Sequence, residues 1–539
     1  MFNFAMTPLG NLFFGLTLIV FASLLLIKNE RRDLPLYVLL FASLGVIFYA
    51  SDLITLFVGW EIMSWSSYFI IAKSARIETL QKYIIFNLAA GFALLGAIVL
   101  IVAFAGTTLY GGIDFGKVPE ALHVPITLLL FVTIAIKSGI MPFHYWVVDT
   151  YEESDHIFSA ILSAIISKAG IFLFIVIFSQ IIGYRYLHGS LFDVLAWLGV
   201  ITSIAATFKA ISQEELKRLL AYSSIAQIGY IVTVLALLEG SGIEAGLYHT
   251  IIHTLVKLLL FVNIASIIYI TGKTKFSQLG NLLYDYPILF VLLLIGIIAL
   301  AGMPPLGGFN SKFLIYTALL EEKKALLLVA VMFSSASAFL YCYKLIYGIY
   351  LGQASGDKEG YRELPVGFYI PQFIAAIILV VLGILPSLGI VPLNPILDSL
   401  GFEVSSYGSL FELHTAFASF NGGVLMGLFG VVFALILWLV TSVKSKAVMA
   451  RDRYDISYCG ETPDPQNNLH YGYGIGEELR RISFIGVILA NSTAAYWEHI
   501  SKLSSDSSLM LKKLYSLGTQ YVGLFVLLFF TILLFLGVR

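Results

Sequence analysis

Apolar stretches close to 20 residues long recur from one end of the chain to the other, separated by short polar turns. A helix of that length reaches across the roughly 30 Å hydrocarbon core of a bilayer. The pattern predicts spans at 6–27, 34–50, 52–72, 82–105, 121–141, 156–182, 190–209, 219–238, 244–271, 286–318, 326–350, 369–390, 420–443 and 520–537, fourteen in all. The first lacks a preceding basic segment and a small-residue cleavage site, so it reads as a retained span rather than a signal peptide.

Two stretches interrupt this pattern from within: KSGIMPFHYW at 137–146 and LAGMPPLGGFNSK at 300–312. Proline removes a backbone donor and clashes with the preceding turn. Broken backbone at membrane depth is tolerated only where it is buried in protein or lines a wet cavity. The breaks fall in the third span after residue 50 and the fourth after residue 182, equivalent places if 34–182 and 190–351 are repeats. Paired breaks of this kind point to an ion site in an inverted-repeat transporter, with an ordinary proline kink as the alternative. The predicted fold is therefore an all-α polytopic membrane protein with two inverted five-helix repeats.

Between 451 and 519 the pattern changes. RDRYDISYCGETPDPQNNLHYGYG is polar and turn-rich. The segment 476–514 then sets apolar residues at helical spacing between Glu477, Glu478, Arg480, Arg481, Glu498, Lys502, Lys512 and Lys513. It is too polar to span, and an amphipathic helix along the membrane face fits it, reaching about 60 Å at 1.5 Å per residue. Two shorter helices, broken near Asn491 or at the serine-rich run 504–508, are the alternative. The chain thus divides into an N-terminal span (1–33), the two repeats, additional spans (352–450), a cytoplasmic loop with a lateral helix (451–519) and a last span (520–539).

Composition agrees with a membrane setting. The chain is 59% hydrophobic and 12% charged, with a mean hydropathy of +0.91, against about 25% charged in soluble domains. A net charge of −1 gives no reason to expect a nucleic-acid partner. The two cysteines, Cys342 and Cys459, match no ligand spacing, so no haem, metal or iron–sulfur cluster is expected in this chain. Lys and Arg concentrate in alternate loops: Lys28, Arg31 and Arg32; Lys73, Arg76 and Lys82; Lys209, Lys217 and Arg218; Lys273 and Lys275; Lys358 and Arg362; Lys444, Lys446, Arg451 and Arg453. The other loops hold mainly Lys117, Arg185, Lys323 and Lys324. The positive-inside rule puts the first set in the cytoplasm and both termini outside.

Ionisable groups inside a membrane are costly and usually functional. Glu61 sits mid-span, Lys137 at the first break, His144 just beyond Pro142, Lys168 mid-span, and Lys312 after the second break. His249, His253 and Lys257 recur every four residues and form one stripe on one helix face. Burial lowers a lysine's pKa and a nearby carboxylate raises it, so a lysine whose partner comes and goes can take up and release a proton. Glu61 is the one acid deep in the first repeat and the natural partner of Lys137. Histidine titrates near neutral pH and can relay protons between lysines. Snorkelling to an interface accounts for Lys73 and for Lys344 near its helix end, but poorly for Lys168 with its long apolar flanks. Interhelical hydrogen bonding is the alternative for the histidines. HTIIH matches a helical zinc pair in spacing only, without the glutamate of that motif. Asp149, Glu152, Glu153 and Asp155 form an acidic cluster past the first break, either feeding ions in or lying in a solvated loop.

Taken together, LFVGWEIMSWSSYFIIA, KSGIMPFHYWVVDTY, KRLLAYSSIAQIGYI, HTIIHTLVKLLLF and LAGMPPLGGFNSKF cover roughly 50–320. They resemble the antiporter-like subunits of respiratory complex I and of Mrp-type Na+/H+ antiporters. The resemblance implies that Glu61 and Lys137 are the family's glutamate–lysine pair and Lys168 its bridging residue. His249, His253 and Lys257 would continue the hydrophilic axis, and Lys312 would be its terminal lysine. In the family's longest member the glutamate lies on the fifth helix and here on the third, so the resemblance implies a chain without counterparts of the first two helices. The span 82–105 has no Asp or Glu where some relatives carry an acid. YDISYCGE is similar to tails of the membrane-bound hydrogenase branch.

What the resemblance implies is an H+- or Na+-translocating subunit of a redox-driven complex in the plasma membrane, such as an archaeal-type hydrogenase or sulfur reductase. Iron–sulfur clusters, with nickel or flavin, would sit in partner membrane and peripheral subunits, and the redox enzyme would be the assembly. The alternatives are a component of an Mrp-type antiporter without a redox partner, and a structural clamp with a silent ion path.

Overall fold

The structure, a computed structural model, is described over residues 2–27, 34–182, 189–352, 361–403 and 409–442. The predicted lateral helix, the polar stretch before it and the last span lie outside these residues.

The first half runs through α1 (Pro8–Leu24), α2 (Leu34–Tyr49), α3 (Leu53–Ile71), α4 (Ile77–Ala105) and α5 (Glu120–Ser138). Local signals set the ends. Thr7 caps α1 through its hydroxyl on the Gly10 N–H, followed by Pro8 in the first turn. Asp52 caps α3, its Oδ1 accepting from the N–H groups of Ile54 and Thr55 at 2.9 Å each. After the break come α6 (Tyr145–Glu153), α7 (His156–Ile161), a π turn (Leu162–Ile166) and α8 (Ser167–Ile175).

The second half holds α9 (Gly189–Ile211), α10 (Leu216–Leu235), α11 (Gly240–Thr271), α12 (Pro287–Ala301), α13 (Gly307–Glu321) and α14 (Ala325–Ile346). The predicted span 286–318 is thus two helices, α12 and α13, because the backbone cannot continue through Gly302-Met-Pro-Pro. Beyond lie α15 (Tyr369–Ile384), the short α16 (Ser387–Ile390) and α17 (Asn394–Ser399), and α18 (Gly422–Ser442). Between α17 and α18, where the apolar pattern predicts nothing, a small hairpin pairs β1 (Glu412–His414) with β2 (Ser419–Asn421) through Leu413 and Phe420.

Among the described residues nine helices are long and apolar enough to cross a bilayer. Pro8–Leu24, Leu34–Tyr49, Pro287–Ala301 and Gly422–Leu435 are apolar but shorter. The centre is α11: its 32 residues would extend about 48 Å at 1.5 Å per residue. It is buried along nearly its whole length and packs on α10, α12, α13 and α15. α9 and α10 approach through Gly199 and Gly229, where a methyl on either would overlap the other's carbonyl oxygen. Small residues at such crossings let backbones meet where apolar burial alone gives helices no preference over lipid.

The two breaks share one construction. α5 ends on Gly139 at φ +75° and α12 on Gly302 at φ +77°. Both lie in the left-handed region, where a side chain is strained and glycine is not. Each glycine is followed within three residues by a cis X–Pro bond, Met141–Pro142 and Pro304–Pro305. A lysine stands beside each interrupted helix: Lys137 in the last turn of α5, and Lys312 in α13, facing the end of α12.

Candidate functional site: a row of buried bases

Lys137, Lys168, Lys257 and Lys312 are 0 to 3% exposed, which excludes snorkelling for all four. His144, His249 and His253 are buried with them, whereas Glu61 is half-buried.

The Lys137 ammonium donates to Asn87 Oδ1 at 3.0 Å and to Ser64 Oγ at 3.3 Å, and lies 5.4 Å from the centre of the Trp60 ring. Glu61 is on the same helix as Trp60 and Ser64, yet no direct ion pair joins it to Lys137; the two couple electrostatically across a gap. The Glu61 carboxylate rests instead on α4 at Gly91. Asn87, one turn earlier on α4, is a neutral acceptor on the helix where an acid is missing.

Lys168 follows the π turn. Its ammonium donates to the Ser163 carbonyl, which that turn presents to it. The Ser163 hydroxyl meets Ser224 Oγ of α10 at 2.8 Å. The electrostatic neighbours of Lys168 are Lys257, His253 and His249.

On α11 the His249 and His253 rings lie parallel, 6.3 Å apart. His249 Nε2 meets Gln227 Oε1 and Nδ1 meets Ser311 Oγ, both at 3.0 Å. Gln227 Oε1 only accepts, so Nε2 donates. Nδ1 then has two states. It accepts from the Ser311 hydroxyl when neutral. When protonated it donates to Ser311, whose hydroxyl can turn to the Gly308 carbonyl 2.9 Å away. His253 has neither ring nitrogen hydrogen-bonded, although both are buried.

Lys257 donates to Ser223 Oγ at 2.6 Å and the Leu220 carbonyl at 3.1 Å, both on α10. Lys312 donates to Ser335 Oγ at 2.7 Å and to the Ala301 carbonyl at the end of α12 at 2.8 Å, and lies 5.7 Å from the Tyr230 ring centre. A cation at a helix C-terminus is favoured by the helix dipole.

The spatial order differs from the order along the chain. His249 is coupled to both Lys168 and Lys312, and His253 sits among Lys168, Lys257 and His249. Lys257 instead turns toward the first turns of α10. Position along one helix cannot reveal which neighbouring helices supply the partners. Nor does His144 lie against this row: its electrostatic neighbours are Lys209 and Asp149, and its ring packs on Tyr145 and Tyr222.

The acidic cluster past the first break is a paired network. Asp149 meets Lys82 at 2.5 Å and Arg218 at 2.9 Å, Arg218 meets Glu152 at 2.5 Å, and Arg76 pairs with Glu153. Asp155 caps α7. Burial pushes the Glu153 carboxyl up, but hydrogen bonds from Arg76 outweigh this and hold it below the ordinary value. Lys344 is also buried, and its ammonium caps the end of α9 at the Ile211 and Gln213 carbonyls (3.2 and 2.6 Å).

Ser64, Asn87, Ser163, Ser223, Ser224, Gln227, Ser311 and Ser335 hold the row, and sequence reasoning gave none of them a role. The string AYSSIAQ carries three of them, and its polar positions inside an apolar span were the available signal. Among the described residues no group of three or more His, Cys, Asp and Glu side chains is placed to share a metal ion.

Residues 50–338 match the family model described as NADH:quinone oxidoreductase/Mrp antiporter, TM. The chain is 28% identical over 472 residues to a Na(+)/H(+) antiporter subunit of Alkalihalophilus pseudofirmus, covering 80% of this chain and 58% of that longer protein. It is 30% identical over 417 residues to an NADH-quinone oxidoreductase subunit of Geotalea uraniireducens, covering 74% and 86%. The structure superposes on a chain of the membrane-bound sulfane sulfur reductase, an archaeal respiratory membrane complex, with a TM-score of 0.86 and 27% identity over 98% of this chain and 89% of that one. With its broken helices and buried lysines, this multi-pass membrane protein belongs to the NADH:quinone oxidoreductase/Mrp antiporter transmembrane family.

Proposed function

We propose that this chain is an ion-translocating subunit of a multisubunit, redox-driven membrane complex, and that H+ and/or Na+ movement runs through Glu61, Lys137, Lys168, His253, Lys257, His249 and Lys312, with His144 at the side of Lys209 and Asp149. The observation that carries this reading is that all four lysines are fully buried and held by hydroxyl, amide and carbonyl oxygens, with no carboxylate in ion-pair contact among the described residues. A lysine so held has no fixed countercharge, and its proton responds to the charge of the next group in the row. The Ser311 hydroxyl keeps its hydrogen bond to His249 in both states by turning its proton between Nδ1 and the Gly308 carbonyl, as a relay needs.

The matched breaks support two inverted repeats, 34–182 and 190–351, one contributing Lys137 and Lys168, the other His249, His253, Lys257 and Lys312. The loop charges support a cytoplasmic face at 73–76, 209–218 and 273–275, in a plasma membrane, with ions entering there and leaving on the other side.

Likeness along nearly the whole chain to a component of a sulfur reductase favours a redox assembly, whose iron–sulfur clusters and other cofactors would lie in partner subunits. Similarity to the Na(+)/H(+) antiporter protein keeps the antiporter without a redox partner as the second reading. Metal and flavin analysis of the native complex separates them: iron, nickel or flavin is expected, and their absence would favour the antiporter. In reconstituted vesicles Lys137→Ala should abolish ion movement. Undiminished movement would leave this chain a structural clamp.

A further inference from the structure

Glu61 does not meet Lys137: its carboxylate accepts from the Trp65 ring N–H on its own helix and lies against a third helix, α4. Asn87 and Gly91 are one turn apart on the face of α4 that looks at α3 and α5. Asn87 holds the Lys137 ammonium. Gly91 receives the carboxylate: a methyl built there would overlap Glu61 Oε1 and come within 3.3 Å of its carboxyl carbon. No turn or positive φ requires glycine at this position, which lies inside a regular helix. Glycine in a helix interior costs about 0.5 to 1 kcal/mol relative to alanine. The Thr133 hydroxyl bonds the adjacent Ala90 carbonyl at 3.0 Å, one helical turn before Lys137, so α4 and α5 are clasped beside the notch.

We propose that Gly91 is a positioning residue: its bare backbone forms a notch that parks the Glu61 carboxylate away from Lys137, so that the pair can alternate between parted and joined. This rests on the reading of Glu61 and Lys137 as an ion-handling pair. A side chain at 91 fills the notch and drives the carboxylate toward Lys137 or into the gap. Aspartate at 61 is one methylene shorter and relieves the overlap. The notch therefore acts through the length of the acid, and a mere packing role would not.

The test uses the native complex in proteoliposomes, with ion movement measured beside the chemistry of the assembly. Gly91→Ala is expected to lower ion movement about tenfold, the rate change equivalent to 1.4 kcal/mol. Gly91→Ala with Glu61→Asp is expected to regain most of it relative to Gly91→Ala alone. Unchanged movement in Gly91→Ala overturns the proposal, as does a loss that Glu61→Asp leaves unrelieved. If Gly91→Ala fails to assemble, recovery of assembly in the double variant supports the notch and continued failure overturns it. Glu61→Gln in the unaltered background separates the two levels: normal movement there removes the pair reading itself, whereas loss there with a silent Gly91→Ala removes only the notch.

Discussion

At the scale of single residues, hydroxyl groups hold the buried bases in place. Ser311 faces His249 Nδ1 and the Gly308 carbonyl, so it can donate to the neutral ring or accept from the charged one. Ser311→Ala should slow ion movement about tenfold, equivalent to 1.4 kcal/mol, while Ser311→Thr keeps the hydroxyl and most of the rate. Equal losses in both variants would reduce Ser311 to packing. A pH effect is expected outside the membrane. Glu153 has its pKa depressed by Arg76, so the pair contributes stability above the ordinary carboxylate range, and the contribution is lost as pH falls through the lowered value. Hydrogen exchange near 150–155 should rise only in acid, well below pH 5, and an onset near neutrality would contradict this. The bases were legible in the sequence, because charge inside an apolar span stands out. Their hydroxyl partners were not, since serine and threonine are ordinary in membrane helices and only the fold shows which face a lysine.

At the scale of helices, each interruption stands beside a buried lysine. Glycine and proline announced both breaks, but the π turn before Lys168 leaves no such mark: Leu162–Ile166 reads as ordinary apolar helix. Gly302 has two constraints, a left-handed backbone and a lysine chain against it, since a methyl there would overlap the Lys312 side chain. Gly302→Ala should cost about 1 to 2 kcal/mol for the backbone alone and also displace the ammonium from Ala301 and Ser335. A lower thermal midpoint together with impaired ion movement is expected; unaltered values for both would show that the end of α12 does not hold Lys312. The same logic explains why 286–318 read as one span: hydropathy continues across a break that the backbone does not.

At the scale of the molecule, the row crosses from one half of the chain to the other through Lys168, on α8 of the first half, among bases of α11 in the second. The halves are also tied at one membrane face by Asp149 and Glu152 of α6, which meet Arg218 of α10, with Lys82 of α4 on the other side of Asp149. The acidic residues were visible in the sequence, yet their cationic partners lie up to 77 residues away and only the fold joins them. Removing one member of a largely buried charge network costs about 3 kcal/mol or more. Asp149→Asn should therefore loosen 145–153 and 216–222 together in hydrogen exchange, and loosening of one segment alone would argue that the network does not join the halves.

On the proposed reading, ions cross this chain along the buried row and Lys168 is the group through which the halves communicate. Lys168→Ala in the reconstituted complex, with the membrane potential recorded during turnover, tests it most directly. The ion movement owed to this chain should then disappear while the complex remains assembled. An undiminished potential per turnover in an assembled complex would contradict it.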